Sequence, residues 1–120
     1  MPRENIIKIK SFAFSIRIVK LYKYLCDNKK EFIISKQLLR CGTGVGALIR
    51  ESEQAQSRSD FIHKLSIAQK EINEAIYWLE LLKATDYLGQ LEFESINQNA
   101  IEIIKLLTRI IKSSKSKKDN

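Results

Sequence analysis

The sequence predicts an all-α protein, an antiparallel up-down-up-down four-helix bundle, and three observations predict it. From Ile34 to Leu82 two consecutive segments place apolar or small residues at strict 4-3-4-3 spacing. The first series is Ile34, Leu38, Cys41, Val45, Leu48, Ser52, Ala55; the second is Phe61, Leu65, Ala68, Ile72, Ala75, Leu79, Leu82. Such spacing draws a narrow seam along a helix, suited to an antiparallel neighbour at a shallow crossing angle. A single Pro and four Gly in 120 residues leave little to interrupt helices. The polar breaks between the segments are short, and short connections force consecutive helices to run antiparallel.

The first helix is expected over about 9–26, entered at Ser11 and ended by the turn-forming and solvated run Asp27-Asn28-Lys29-Lys30. The second spans about 35–56. The third covers about 59–84, where Ser57 or Ser59 caps the orphan amides and Asp60 suits the positive end of the helix dipole. Gly89 marks the next break, and the fourth covers about 93–113, with Glu92 and Glu94 near its start and Lys112 near its end. One domain over 1–112 is expected, followed by a mobile basic tail over 113–120, Ser-Lys-Ser-Lys-Lys-Asp-Asn after Ser113, too polar to bury anything.

The apolar positions of the first helix, Phe12, Phe14, Ile16, Ile18, Val19, Leu21, Tyr22 and Leu25, spread over roughly 220°, well beyond the ~100° stripe that faces one core. The fourth helix, with Ile96, Ile101, Ile103, Ile104, Leu106, Leu107, Ile110 and Ile111, is about as broad. Surplus apolar surface of this kind predicts self-association, with Phe14, Ile18, Thr43, Ala47, Trp78 and Leu106 at the interface. Trp78 lies beside the main seam, where an indole combines large apolar area with one donor.

Gly42-Thr43-Gly44-Val45-Gly46 is not a phosphate loop: it has neither the G-x-G-x-x-G nor the Gly-Lys-Ser/Thr context and lies inside a helical seam. Each glycine costs about 0.5–1 kcal/mol in a helix relative to Ala, so a compensating close approach of another backbone is expected, a helix of the same or a neighbouring subunit first and a nucleic-acid backbone second. Glu71 and Glu74 stand one turn apart, yet a di-iron bundle needs two Glu-x-x-His motifs and the chain has one histidine, His63, outside any. Ion pairing, for example with Lys70 or an Arg of an adjacent helix, is the expected role. With no nucleophile–base set, the reading is a protein without catalytic residues, metal or cofactor.

Lys+Arg number 21 against 14 Asp+Glu, a net charge of +7 that favours acidic partners. Arg17 and Lys20 share the polar arc of the first helix, Arg40 and Arg50 lie on the outer face of the second, and Lys105, Arg109 and Lys112 form an i, i+4, i+7 strip on the fourth. These seven are the expected phosphate contacts, giving salt-sensitive binding of RNA or DNA with little sequence preference. The alternative is an oligomeric scaffold for another protein. Cys26 and Cys41 lack CxxC or Cys/His spacing and read as reduced thiols; with no secretory signal pattern and no membrane-length apolar run, the expected location is the cytoplasm.

The residues Arg40-Cys-Gly-Thr43-Gly-Val-Gly46-Ala47-Leu-Ile49-Arg-Glu51, Gln56-Ser57-Arg58-Ser59-Asp60-Phe61-Ile62-His-Lys64-Leu65, Ala68-Gln-Lys70-Glu71 and Glu74-Ala-Ile-Tyr77-Trp78-Leu79, together with Ser11 to Leu25, resemble the bacterial four-helix-bundle family encoded within intervening sequences of large-subunit ribosomal RNA genes. The resemblance runs to about Ile111. It implies a compact antiparallel bundle, commonly a ring-like homopentamer with a central pore. That family is also similar to the accessory variability determinant of diversity-generating retroelements, a basic pentamer that associates with a reverse transcriptase and nucleic acid, so a reverse transcriptase is the implied protein partner. Members usually carry Asn after the Gly-Ala pair, where this chain has Leu48, so any polar contact made by that Asn is absent.

Overall fold

The computed structural model describes residues 3–116 and consists of four helices, α1 (Arg3–Lys29), α2 (Ile34–Ser52), α3 (Arg58–Ala84) and α4 (Gln90–Ser116). The connections are short, and α1 packs on α2, α2 on α3, α3 on α4 and α4 on α1, so the four close into an antiparallel bundle. Its long dimension is 54 Å and its cross-section 22 × 22 Å.

The core is the four inward seams. On α3 it is Leu65, Ala68, Ile72, Ala75, Leu79 and Leu82, with Phe61 half-buried at the end. On α2 it is Leu38, Cys41, Val45, Ile49 and Ser52. Here the seam slips from the expected Leu48, which is half-buried, to Ile49. An untwisted helix drifts about 20° per heptad against a strict 3.5-residue repeat, so over two heptads the adjacent position turns inward. On α1, Ile7, Ser11, Phe14, Ile18 and Leu25 form the same 4-3-4 seam, which is why this helix starts at Arg3 rather than near Ile9. Ser11 does not cap it. The residue is 1% exposed, and its hydroxyl donates to the Lys8 carbonyl at 3.2 Å within the helix. α4 continues to Ser116, so residues 113–116 of the expected tail are helical; 117–120 lie outside the described residues.

Two helix starts are fixed by side chains. Ser57 accepts from the Asp60 amide at 3.0 Å while the Asp60 carboxylate accepts from the Gln56 amide at 3.2 Å, a reciprocal cap that opens α3 at Arg58. At α2 the N-cap residue, Ile33, has no side-chain acceptor. Glu31 supplies it from upstream: its carboxylate accepts from the amides of Ile33 and Ile34 at 3.0 Å and Ser35 at 2.7 Å. Although only 8% exposed, Glu31 stays charged. Burial alone would raise its pKa, but the three amide donors outweigh it and hold the carboxyl below its ordinary value.

The glycines of α2 are explained within the chain. A Cβ at Gly42 would come within 2.9 Å of Ile18 Cγ1, and one at Gly46 within 3.2 Å of Ser15 Oγ and 3.5 Å of the Ser11 carbonyl oxygen. α1 therefore lies directly on the Gly42–Gly46 surface. Gly44 points the other way, towards Glu71 of α3, whose Oε2 would stand 3.1 Å from a Cβ at that position.

Gly42→Ala is expected to destabilise by about 1–3 kcal/mol, because Ile18 is wholly buried and has nowhere to move. Gly44→Ala meets only the end of a flexible carboxylate and gains helix propensity, so it should be neutral or stabilising by up to about 1 kcal/mol. Urea denaturation of the two variants checks the contrast. For Glu31, a lowered folded-state pKa means that the stabilisation is complete above the ordinary glutamate range and is lost as pH falls through it. Glu31→Gln should cost about 1–3 kcal/mol at neutral pH and show a shallower loss of stability on acidification than the parent; melting curves at stepped pH measure both.

Candidate functional site

The register of the bundle sorts the charges by height. Gly42 lies opposite Ile18, Gly44 opposite Glu71, and the Arg17 guanidinium donates to Asn99 Oδ1 at 2.6 Å, so these residues mark the middle. The half containing residues 3–16, 44–70 and 103–116 carries 11 Lys and Arg against 4 Asp and Glu; the half containing 17–43 and 71–102 carries 8 against 9. The excess positive charge therefore sits at one end of the bundle, where α2 and α4 finish. Within it no acidic residue follows Glu102 along α4.

The seven expected phosphate contacts separate on this map. Lys105, Arg109 and Lys112 are exposed on the outer face of α4 and have no ionic partner among the described residues. Arg50 belongs to the same half; its guanidinium carbon lies 5.6 Å from the centroid of the Phe12 ring. Arg17, Lys20 and Arg40 belong to the other half. Arg17 is half-buried against Asn99, and Lys20 is exposed along an α1–α4 cleft that also holds Glu92. Arg40 pairs with Glu71 at 3.3 Å and with Glu74, so it is not a free anion contact. This ion pair is the role expected of the two glutamates. Glu74 also accepts from the Trp78 indole N–H at 3.0 Å; that bond and Arg40 hold its carboxyl below the ordinary range against the opposing effect of burial.

The expected interface residues need correction. Phe14 and Ile18 are 1% and 0% exposed and belong to the core, so neither reaches another subunit. Their helix carries two apolar faces rather than one broad one. Beside the inward seam, Ile9, Phe12, Ile16 and Val19 recur at 3-4-3 spacing on the outside, 55%, 55%, 43% and 36% exposed. α4 differs: Ile96, Ile103, Leu107, Ile110 and Ile111 are buried, Ile104 and Leu106 are half-buried, and of its large apolar residues in the expected arc only Ile101 is exposed. Its breadth is absorbed by the bundle. Thr43 is half-buried and donates to the Leu39 carbonyl at 2.7 Å, Ala47 is exposed, and Trp78 is half-buried with its ring edge-to-face against the exposed Tyr77.

No group of three His, Cys, Asp or Glu is placed to hold a metal ion among the described residues, and no described helix is long and apolar enough to cross a membrane. Burial, with Glu74 as the next cause, pushes the Cys41 thiol up to about 12. Cys26 is half-buried beside Ser35, with 3.9 Å between Sγ and Oγ.

The fold and its surface define a small helical-bundle protein with a charge-polarised exterior. The family model of the 23S rRNA-intervening sequence protein matches residues 3–109, and the chain belongs to that family. It is similar to a protein of unknown function from the S23 ribosomal protein family of Bacteroides thetaiotaomicron VPI-5482, known from a crystal structure: 58% identity over 92% of this chain and 99% of that one, with a TM-score of 0.92. None of the curated proteins compared matches the chain.

At mildly alkaline pH a neutral, enclosed thiol is unreactive. Iodoacetamide should therefore label the native protein at Cys26 and reach Cys41 only in denaturant; mass spectrometry showing equal native labelling of both would contradict the packing described for α2.

Proposed function

We propose that the protein is a non-enzymatic accessory protein of the cytoplasm that binds nucleic acid through the basic half of its bundle, without sequence preference. The observation that supports this reading most directly is the strip Lys105, Arg109 and Lys112, exposed along α4 and unpaired among the described residues while Glu51, Glu53 and Glu102 are each tied to a lysine elsewhere. A row of cations one helical turn apart can neutralise successive phosphates and release their counterions, which binds any sequence and weakens steeply with salt. Arg50 extends the positive surface. Arg17 and Arg40, engaged with Asn99 and with Glu71 and Glu74, drop out of the proposed contact set.

A second reading, self-association, is favoured by the outward stripe of Ile9, Ile16 and Val19 on α1, since exposed apolar rows of this length are usually covered. Family resemblance makes a homopentameric ring the specific form of this proposal, with Ala47 and Leu106 as further contacts. Light scattering at micromolar concentration should give a multiple of the 13.9 kDa chain mass; a monomeric mass removes this second reading. A scaffold for another protein, such as a reverse transcriptase, would instead use the Tyr77–Trp78 surface, and its capture of partner would survive nuclease.

The nucleic-acid reading is tested with a labelled RNA or DNA oligonucleotide. Binding at 50 mM salt should weaken sharply by 200 mM, and replacing Lys105, Arg109 and Lys112 together by Ala should flatten the slope of log affinity against log salt by about 2–3. No binding by the parent at 50 mM salt, or a triple variant with the parent's slope, overturns it.

A further inference from the structure

Between α1 and α2, on the outside of the basic half, runs a cleft of about 320 Å³. Phe12, Arg50 and Lys8 line it together with the small residues Gly46 and Ala47, and Lys8 is paired with Glu53 at 3.2 Å. We infer that this groove holds an unpaired nucleotide of a single-stranded nucleic acid, its base stacked on Phe12 and its phosphate against Arg50. The inference rests on the nucleic-acid reading above and adds the substrate class and the place of contact.

Three features of the groove fit such an occupant. The Phe12 ring is 55% exposed although a guanidinium already lies 5.6 Å from its centre, so an aromatic surface and a cation are presented together. Bases of any identity stack on such a surface, and an arginine held at a ring keeps N–H groups for a phosphate oxygen. The hydroxyls of Ser15 and Thr43 spend their protons on the carbonyls of Ser11 and Leu39, at 3.0 and 2.7 Å, which leaves their oxygens as acceptors for base N–H groups or a ribose hydroxyl. The third feature is charge. Among the described residues no carboxylate lines this groove, and the charge of Lys8 beside it is met by Glu53, which leaves Arg50 as its cation; Glu53 lines the larger apolar cleft at the same end of the bundle, and Glu92 and Glu102 line two clefts along α1 and α4. An anion entering those would face like charge. The interior bases of a duplex cannot use the site, because both of their faces are already stacked.

Phe12 stands at the α2 edge of the apolar α1 stripe, sharing its ring with Arg50, so a second copy seated squarely on that stripe would cover it. The experiment separates the two. Fluorescence anisotropy is measured from 50 to 200 mM salt with a 12-nucleotide oligouridylate, the corresponding oligodeoxyuridylate and a duplex of equal length, for the parent, Phe12→Ala, Phe12→Trp and the triple α4 variant, each with its mass from light scattering. Phe12→Ala should weaken both single strands by about five- to a hundredfold, leave the duplex and the salt slope unchanged, and be rescued by Phe12→Trp. A preference for the uridylate would assign Ser15 and Thr43 to the ribose hydroxyl. Single-strand binding by Phe12→Ala equal to the parent's, with the triple variant still impaired, overturns the groove and leaves the basic strip standing; no binding by the parent at all overturns both. A change of particle mass in Phe12→Ala also overturns the inference, by placing the ring in a subunit contact.

Discussion

The contact on which the rest of the structure depends is the direct seating of α1 on the glycine surface of α2. Gly42 receives Ile18 at a distance that leaves no room for a methyl group, and Gly46 receives Ser15 closely, with the backbone of Ser11 within contact distance. A helix gives up about 1 kcal/mol of propensity per glycine to allow this. In return Ile18 is driven wholly into the core, and the outer edges of the two helices come close enough for Arg50 of one to lie over Phe12 of the other. The core and the outer groove are therefore two sides of one approach.

That approach was half legible. The sequence pattern shows that glycines in a helical seam need a close neighbour, and the neighbour is a helix of the same chain. Which helix could not be read, because Ser11 and Ser15 look like interruptions of the α1 pattern rather than contacts made possible by their small size. The same blindness moves the expected start of α1: Ser11 reads as the entry to the helix, although it lies within it and completes a seam with Ile7, Phe14 and Ile18. At α2 the missing signal was a cap. Helix starts are recognised by a short polar residue at the boundary, whereas here Ile33 occupies the boundary and Glu31 reaches three amides from upstream. The α3 start was legible because Ser57 and Asp60 have the usual spacing.

Charge was legible by type and not by partner. Arg40 and Lys105 look alike in a sequence, yet one faces two carboxylates across the α2–α3 seam and the other pairs with none among the described residues. Their position along the bundle was equally hidden, since it depends on the register between antiparallel helices, and only that register gathers the positive excess at one end. Helix breadth misled in a related way. Apolar residues spread around α4 are consumed by contacts on two sides, while those around α1 divide into a buried row and an exposed one. A helical projection gives the width of an apolar arc but not how much of it the neighbouring helices cover.

The central claim, that anionic partners meet the basic half of the bundle, is tested most directly by lysine footprinting. The protein is acetylated briefly with and without an oligonucleotide, and modification is quantified residue by residue by mass spectrometry. The account predicts slower modification of Lys105, Lys112 and Lys115 in the complex, with Lys23, Lys29, Lys30 and Lys36 of the opposite half reacting as before. Protection of the opposite group, or equal protection of both, would contradict it.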